Sequence, residues 1–176
     1  MKIFLDTADT TAIEKAYTTG IIDGVTTNPT LIRKSGRDPE EVYQQLIDYG
    51  INDISMEVVG DYGIMYEEGI RLSRKFGKAC TIKVPCTPDG LRVCRELSRD
   101  LVNVNVTLIF SAAQAILAAK SGAKYVSPFV GRVDDNSFNG IELIEQISDI
   151  YTIQNVHKTE ILSASIRDVK SVSDSF

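Results

Sequence analysis

The chain has 176 residues, of which 43% are hydrophobic and 24% are charged, a mixture typical of one soluble globular domain with a substantial core. Its formal net charge of -5 argues against nucleic acid and against an anionic membrane as the main partner. No apolar run approaches the ~20 residues that span a bilayer, and Asp6 comes too early for a signal peptide. Nucleic-acid binding and membrane insertion are therefore not expected.

The predicted elements alternate between strands and helices along the whole chain. Short apolar runs predict strands at 2–6, 24–28, 53–59, 79–84, 103–109, 124–130 and 160–165. Helical patterns are predicted at 10–18, from Asp38, at 62–76, from Thr87, from Ser111 to Gly122, at 140–151 and from Val169 onward. The helix starts carry capping signals, namely Asp9, Asp38 before Pro39, Thr87 before Pro88, and the capping box of Ser111 and Gln114.

Seven strands that alternate with helices call for a parallel sheet with helical crossovers. A doubly wound open sheet gathers ligand groups at one switch point, whereas a (β/α)8 barrel brings the carboxyl ends of all its strands around one opening. In six of the seven predicted strands, a polar residue lies toward the carboxyl end of the strand, which favours the barrel. These polar residues are Asp6, Asn28, Glu57, Lys83, Asn105 with Thr107, and Ser165.

Lys83 is the most informative of these residues. It is a lone cation in the β-branched run 81–84, and burial of a lysine is costly unless the group is paired or neutral. A neutral lysine can form a Schiff base with a carbonyl substrate. The alternative is a lysine on an edge strand that points to solvent.

The other polar residues also have simpler explanations when they are taken singly. Asp6 could cap a helix, Asn28 before Pro29 is a common turn pair, and Asn105 and Thr107 could bond to each other. Glu57 is harder to explain in this way, because an acid among apolar residues needs a partner or a function. As one ring around a lysine, these residues favour an active site.

Three cysteines and one histidine limit the other kinds of site. Cys80, Cys86 and Cys94 are odd in number and lack metal-site spacing, so we expect reduced thiols and a cytoplasmic protein. His157 has no second histidine with which to build a metal site, and a serine-type triad is not expected.

Six segments carry a family resemblance that covers essentially the whole chain. They are FLDTA (4–8), GVTTNPT (24–30), IKVP (82–85), VNVTLIFSAAQA (104–115), VSPFVGR (126–132) and ASIR (164–167). In this order they resemble the small-type transaldolases, a branch that includes fructose-6-phosphate aldolase. The resemblance implies a (β/α)8 barrel that transfers dihydroxyacetone between sugar phosphates in the pentose phosphate pathway, without a metal or organic cofactor.

The resemblance also implies a role for each matching residue. Lys83 matches the Schiff-base nucleophile, and Asp6 the acid/base that takes the proton of the C4 hydroxyl. Glu57 and Thr107 match the pair that positions a water for carbinolamine dehydration. The substrate-binding positions that the match suggests are Thr27, Asn28, Asn105, Ser127 and Phe129, together with the phosphate set of Arg132, Ser165 and Arg167.

Two positions separate the branches of this family. The resembling aldolases carry Tyr where this chain has Phe129, and Gln where it has Glu57. Both residues here are of the transaldolase type, so we expect a transaldolase rather than an aldolase. A third possibility, from another class, is a non-catalytic piece that binds sugar phosphates.

The C-terminal end departs from the family pattern. Only 11 residues follow Ser165, and they continue as the start of a seventh helix, so the eighth strand and helix are missing from the sequence. We therefore expect one barrel domain over 1–176 that is incomplete at its C-terminus. The resemblance further suggests a homo-oligomer, a pentamer or decamer.

Overall fold

The computed structural model describes residues 1–176. Its strands are β1 (Phe4–Asp6), β2 (Gly24–Thr26), β3 (Ile54–Glu57), β4 (Cys80–Pro85), β5 (Asn103–Ile109), β6 (Tyr125–Pro128) and β7 (Glu160–Ile161). Its helices are α1 (Thr10–Tyr17), α2 (Pro29–Ser35), α3 (Pro39–Asp48), α4 (Tyr62–Phe76), α5 (Pro88–Arg99), α6 (Ala112–Lys120), α7 (Val130–Asp134), α8 (Gly140–Ile153) and α9 (Val169–Asp174).

The strands follow one another in the sheet in the same order as in the chain, from β1 to β7. The pairings from β1 to β4 and from β5 to β7 are parallel. A doubly wound sheet would reverse its strand order at a switch point, and this order has no reversal. It is the strand order of a (β/α)8 barrel, which confirms the predicted fold class.

The internal contacts divide the chain into two compact units. The first comprises Met1–Val58 and Glu67–Lys83, and the second comprises Val59–Tyr66 and Val84–Phe176. The first unit contains β1 to β3 and most of β4. The second contains β5 to β7 and the helices that connect them.

The first unit buries an apolar core between its strands and helices. Ile54 and Met56 of β3 and Leu46 of α3 have no exposed surface. The rings of Tyr43 in α3 and Phe76 in α4 meet edge to face, with centroids 5.8 Å apart. Burial of each such side chain contributes about 1.5–3 kcal/mol, and this packing fixes the strand ends on which the polar residues lie.

The second unit is tied together by side-chain hydrogen bonds between its helices. The Ser98 hydroxyl in α5 donates to the carbonyl of Gly122, beyond α6, at 2.8 Å. The Tyr151 hydroxyl in α8 donates to the carbonyl of Ala115 in α6, also at 2.8 Å. The bond from Tyr151 satisfies buried polar groups, whereas the bond from Ser98 is exposed.

The predicted helix caps are confirmed. Asp9, Asp38, Thr87 and Ser111 each accept backbone N–H groups from the first turn of the helix that follows. The capping bond satisfies donors that the first turn leaves without a helical partner.

Two short helices and the lengths of several strands differ from the prediction. The structure has α2 before α3, and α7 where a strand was predicted to continue to residue 130. α2 begins with Asn28 as its cap and proline at its first position, whereas the start of α7 has no side-chain cap. β7 extends only over Glu160–Ile161, and the pairing near its predicted end is a single bridge from Phe129 to Ala164.

None of the helices is both long enough and apolar enough to cross a bilayer.

Gly90 provides a test of the packing between β4 and α5. A Cβ atom at this position would lie 2.0 Å from the backbone carbonyl oxygen of Pro85. We therefore expect Gly90→Ala to lower the free energy of unfolding by about 2–3 kcal/mol, since backbone must move. In the matched control Gly63→Ala, the nearest atom is 3.5 Å away, and helix propensity should stabilise by up to about 1 kcal/mol. If urea denaturation gave the same change in the free energy of unfolding for both variants, this packing would be contradicted.

Candidate active site

Lys83 lies at the carboxyl end of β4 with its amine enclosed by protein. The side chain is 7% exposed, and Nζ is 3.1 Å from Oε2 of Glu57. Nζ also donates a hydrogen bond of 3.0 Å to the backbone carbonyl of Thr27. The alternative of a lysine that points to solvent is therefore excluded.

The register of β3 and β4 explains why Glu57 meets Lys83. The two residues are direct partners in the parallel pairing, so their side chains leave the sheet on the same face. The Val58 N–H donates to the carbonyl of Lys83 at 2.9 Å, which continues the pairing past the end of β3. The side chains of Lys83 and Glu57 are 7% and 13% exposed. The ion pair is consequently held largely away from bulk water.

The Thr27 side chain has a structural role, while its backbone contacts the lysine. Its hydroxyl donates to the carbonyl of Ser55 at 3.0 Å and lies 3.4 Å from the hydroxyl of Tyr43. Burial raises the pKa of Tyr43, and the bond from Thr27 opposes that rise. The group that Thr27 offers near the candidate nucleophile is its carbonyl oxygen, which no side-chain pattern could reveal.

Asn28 and Asp6 complete the polar residues of the first unit. Asn28 Oδ1 accepts from the N–H of Leu31 and caps α2, which leaves its amide N–H groups to donate. Asp6 is exposed, and its Oδ1 accepts from the Thr26 hydroxyl at 2.8 Å. Asp9 rather than Asp6 caps α1, so the capping explanation for Asp6 is excluded.

Thr107 is the buried polar residue that stands out in the second unit. Its residue exposure is 1%, and its Oγ1 has no hydrogen-bond partner. The lack of a partner for Thr107 Oγ1 excludes a mutual bond with Asn105, and Asn105 Oδ1 accepts from the Ser127 hydroxyl at 2.8 Å. A buried hydroxyl without a partner costs about 1–3 kcal/mol, and such a group points to a bound water or a functional role.

The predicted phosphate set lies in and around α7, the short helix that follows β6. The Arg132 guanidinium lies over the Phe129 ring, 4.8 Å from its centroid. Ser165 has φ 57°, in the left-handed region, and its carbonyl accepts from the N–H of Gly131 at 3.1 Å. A Cβ on Gly131 would lie 2.3 Å from that carbonyl oxygen and 2.8 Å from Nε of Arg167, so only glycine allows this close approach.

Arg167 has a partner that the sequence reasoning missed. Its two terminal nitrogens bind the two carboxylate oxygens of Asp135, with Nη2 and Oδ2 2.6 Å apart. This pairing lowers the pKa of Asp135 and raises the pKa of Arg167. A phosphate would have to share Arg167 with this carboxylate or displace it. The only sequence signal was an acidic pair, Asp134 and Asp135, close behind Arg132.

Cys86, three residues after Lys83, is half-buried, and burial raises the pKa of its thiol. Cys80 and Cys94 are buried, and burial raises the pKa of each to about 12. All three thiols are free.

Comparison with known proteins agrees with the resemblance. The family model described as Transaldolase/Fructose-6-phosphate aldolase matches residues 3–176. A probable transaldolase of Paracoccus denitrificans is 53% identical over 175 residues, which cover 99% of this chain and 80% of the relative. A probable transaldolase of Nitrosopumilus maritimus is 50% identical over 168 residues, which cover 95% of this chain and 75% of the relative.

The buried ion pair can be tested with a double-mutant cycle on stability. In Lys83→Met and Glu57→Gln, each single change leaves one polar group buried without its partner, whereas the double variant removes both charges. We expect a coupling free energy of about 1–3 kcal/mol in urea denaturation at pH 7. The control pair Arg99 and Glu96 is exposed on α5 at 3.5 Å, and its coupling should stay below about 0.5 kcal/mol. Equal coupling in the two cycles would contradict the enclosed pair.

Proposed function

The chain belongs to the transaldolase/fructose-6-phosphate aldolase family, and on this basis we propose that it is a transaldolase with Lys83 as its Schiff-base nucleophile. It moves a dihydroxyacetone unit from a ketose phosphate, sedoheptulose 7-phosphate or fructose 6-phosphate, to an aldose phosphate, glyceraldehyde 3-phosphate or erythrose 4-phosphate. The observation that carries the proposal is the amine of Lys83, held between the Glu57 carboxylate and the Thr27 carbonyl.

The first step is attack of the amine on the ketose carbonyl. A lysine attacks only as the free amine, and the Glu57 carboxylate 3.1 Å from Nζ can accept the proton that the amine gives up. The new bond joins Nζ to the carbonyl carbon, and loss of water from the carbinolamine gives an iminium ion. We assign Glu57 and Thr107 to this dehydration, through a water that they bind. The unpartnered hydroxyl of Thr107 supports that assignment.

The second step is cleavage of the bond between C3 and C4. We assign Asp6 as the base that takes the proton of the C4 hydroxyl, while the electrons of the broken bond move to the iminium nitrogen. The aldose leaves, and the dihydroxyacetone unit stays on Lys83 as an enamine. The iminium serves as the electron sink, so the cleavage proceeds on the protein's own groups. Attack of the enamine on a second aldose and hydrolysis of the iminium complete the transfer.

The remaining residues bind the substrate in this proposal. Asn28 and Asn105 hold the hydroxyls of the dihydroxyacetone unit, and the amide N–H groups of Asn28 are free to donate to it. Arg132, Ser165 and Arg167 bind the phosphate, for which a guanidinium fork is well suited. Binding energy from the remote phosphate can then orient the reacting carbons.

The family also contains aldolases, which release free dihydroxyacetone. In this proposal a carboxylate at Glu57 and a ring without a hydroxyl at Phe129 favour retention of the enamine for the second aldose. Phe129 packs against Phe110 with ring centroids 5.7 Å apart and beneath Arg132. The Phe129 ring itself has no group that could hold a water by a hydrogen bond. A cytoplasmic location and a homo-oligomeric state are part of the same proposal.

Product analysis tests the proposal directly. With fructose 6-phosphate and erythrose 4-phosphate, we expect sedoheptulose 7-phosphate and glyceraldehyde 3-phosphate, with little free dihydroxyacetone. Dihydroxyacetone as the main product would assign an aldolase. If a folded sample forms neither sedoheptulose 7-phosphate nor free dihydroxyacetone, the hypothesis that remains is a non-catalytic role in sugar-phosphate binding.

Phe129→Tyr should shift the partition of the enamine. We expect the ratio of free dihydroxyacetone to transfer product to rise by about 10-fold, because the new hydroxyl can bind a water near the intermediate. Tyr125→Phe, which removes a ring hydroxyl at the start of β6, is the control and should leave the ratio unchanged. An unchanged ratio in Phe129→Tyr would contradict the role given to this ring.

A further inference from the structure

β5 contains one more residue than β6 over the stretch where the two strands pair. Asn105 pairs with Tyr125 and Val106 with Val126, but the next pair is Ile109 with Pro128. Three steps along β5 therefore match two steps along β6, which is a β-bulge. Leu108 lies in the bulge with φ 59°. A residue with a Cβ is strained in this left-handed region, and a leucine there is uncommon.

Backbone hydrogen bonds hold the bulge on both sides of Leu108. The carbonyl of Thr107 accepts from the N–H of Cys86 at 2.9 Å, and the carbonyl of Ile109 accepts from the N–H of Phe129 at 3.0 Å. Strained backbone of this kind persists where the surrounding structure determines it, and it concentrates at functional sites.

The bulge changes which side chains share a face of the sheet. In an unbroken strand, Asn105, Thr107 and Ile109 would all point to the same side. The extra residue moves Ile109 into register with Pro128, out of phase with Asn105, and Ile109 is fully buried there. An apolar side chain is thus removed from the face on which Thr107 presents its unpartnered hydroxyl.

We propose that Leu108 is a positioning residue whose left-handed backbone keeps the Thr107 hydroxyl available for the reaction. The bulge turns Ile109 away from the hydroxyl and keeps the hydroxyl unpaired, so that a polar atom of the intermediate or its water can bind there. This inference rests on the proposed function, in which Thr107 takes part in the dehydration step. Leu108 itself acts through its backbone and does not touch the substrate.

The alternative explanation is that Leu108 is retained only for its apolar contacts, because the residue is half-buried. The two explanations predict opposite orders of kcat and of stability for two variants of Leu108. Valine keeps an apolar side chain, but β-branching makes the left-handed conformation much more costly. Asparagine loses the apolar contacts, but it tolerates that conformation better than other residues with a Cβ.

The test compares Leu108→Val, Leu108→Asn and the control Leu108→Met, which changes neither branching at Cβ nor apolar character. We expect kcat for transfer from fructose 6-phosphate to erythrose 4-phosphate to fall about 10- to 100-fold in Leu108→Val, with KM within about 3-fold of the parent. Leu108→Asn should retain more of kcat and should unfold at a higher urea concentration than Leu108→Val. The reverse order in kcat and in unfolding would overturn the proposal.

A second background tests whether Leu108 acts through Thr107. In a chain that carries Thr107→Val, addition of Leu108→Val should lower kcat by less than about 3-fold, since the hydroxyl is already gone. A further loss as large as in the parent would overturn the proposal. An inactive parent chain would instead defeat the proposed function, and this inference with it, so the two failures are distinguishable.

Discussion

The enclosed amine of Lys83 is the feature on which the candidate site depends. A charged amine this deeply buried is stable only with partners, and the Glu57 carboxylate and the Thr27 carbonyl provide them. The parallel register of β3 and β4 sets the first contact, and Thr27, directly after β2, supplies the second. Burial of an ion pair contributes little net stability compared with apolar packing of the same volume. We infer that the pair is retained for its chemistry, since the neutral lysine it can yield is a nucleophile.

A helix of this fold could be predicted from the sequence where the residues that mark its start lie within one turn of it. The caps at Asp9, Asp38, Thr87 and Ser111 act within one helical turn, so the sequence predicts them correctly. α2 carries the same kind of signal in Asn28 and Pro29 and was missed, because Asn28 was assigned to the end of a strand and its pairing with Pro29 to a turn. α7 has no side-chain cap, so nothing local marks its start.

The same distinction applies to the candidate site. The polar residues at strand ends could be found from the sequence because they interrupt apolar runs at intervals of one βα unit. Their partners depend on the folded backbone: the carbonyl of Thr27, the carboxylate of Asp135 beside Arg167, and the left-handed Leu108. A leucine gives no hint that its backbone will be left-handed, whereas a glycine would have done so.

Reductive trapping tests the central claim that Lys83 forms the Schiff base. Borohydride with fructose 6-phosphate should reduce the iminium to a stable secondary amine, and peptide mass mapping should locate the added mass on Lys83. Lys83→Met should lose the adduct, while Lys78→Met, an exposed lysine just before β4, should keep it. An adduct on another lysine, or none on a folded parent chain, would contradict the account.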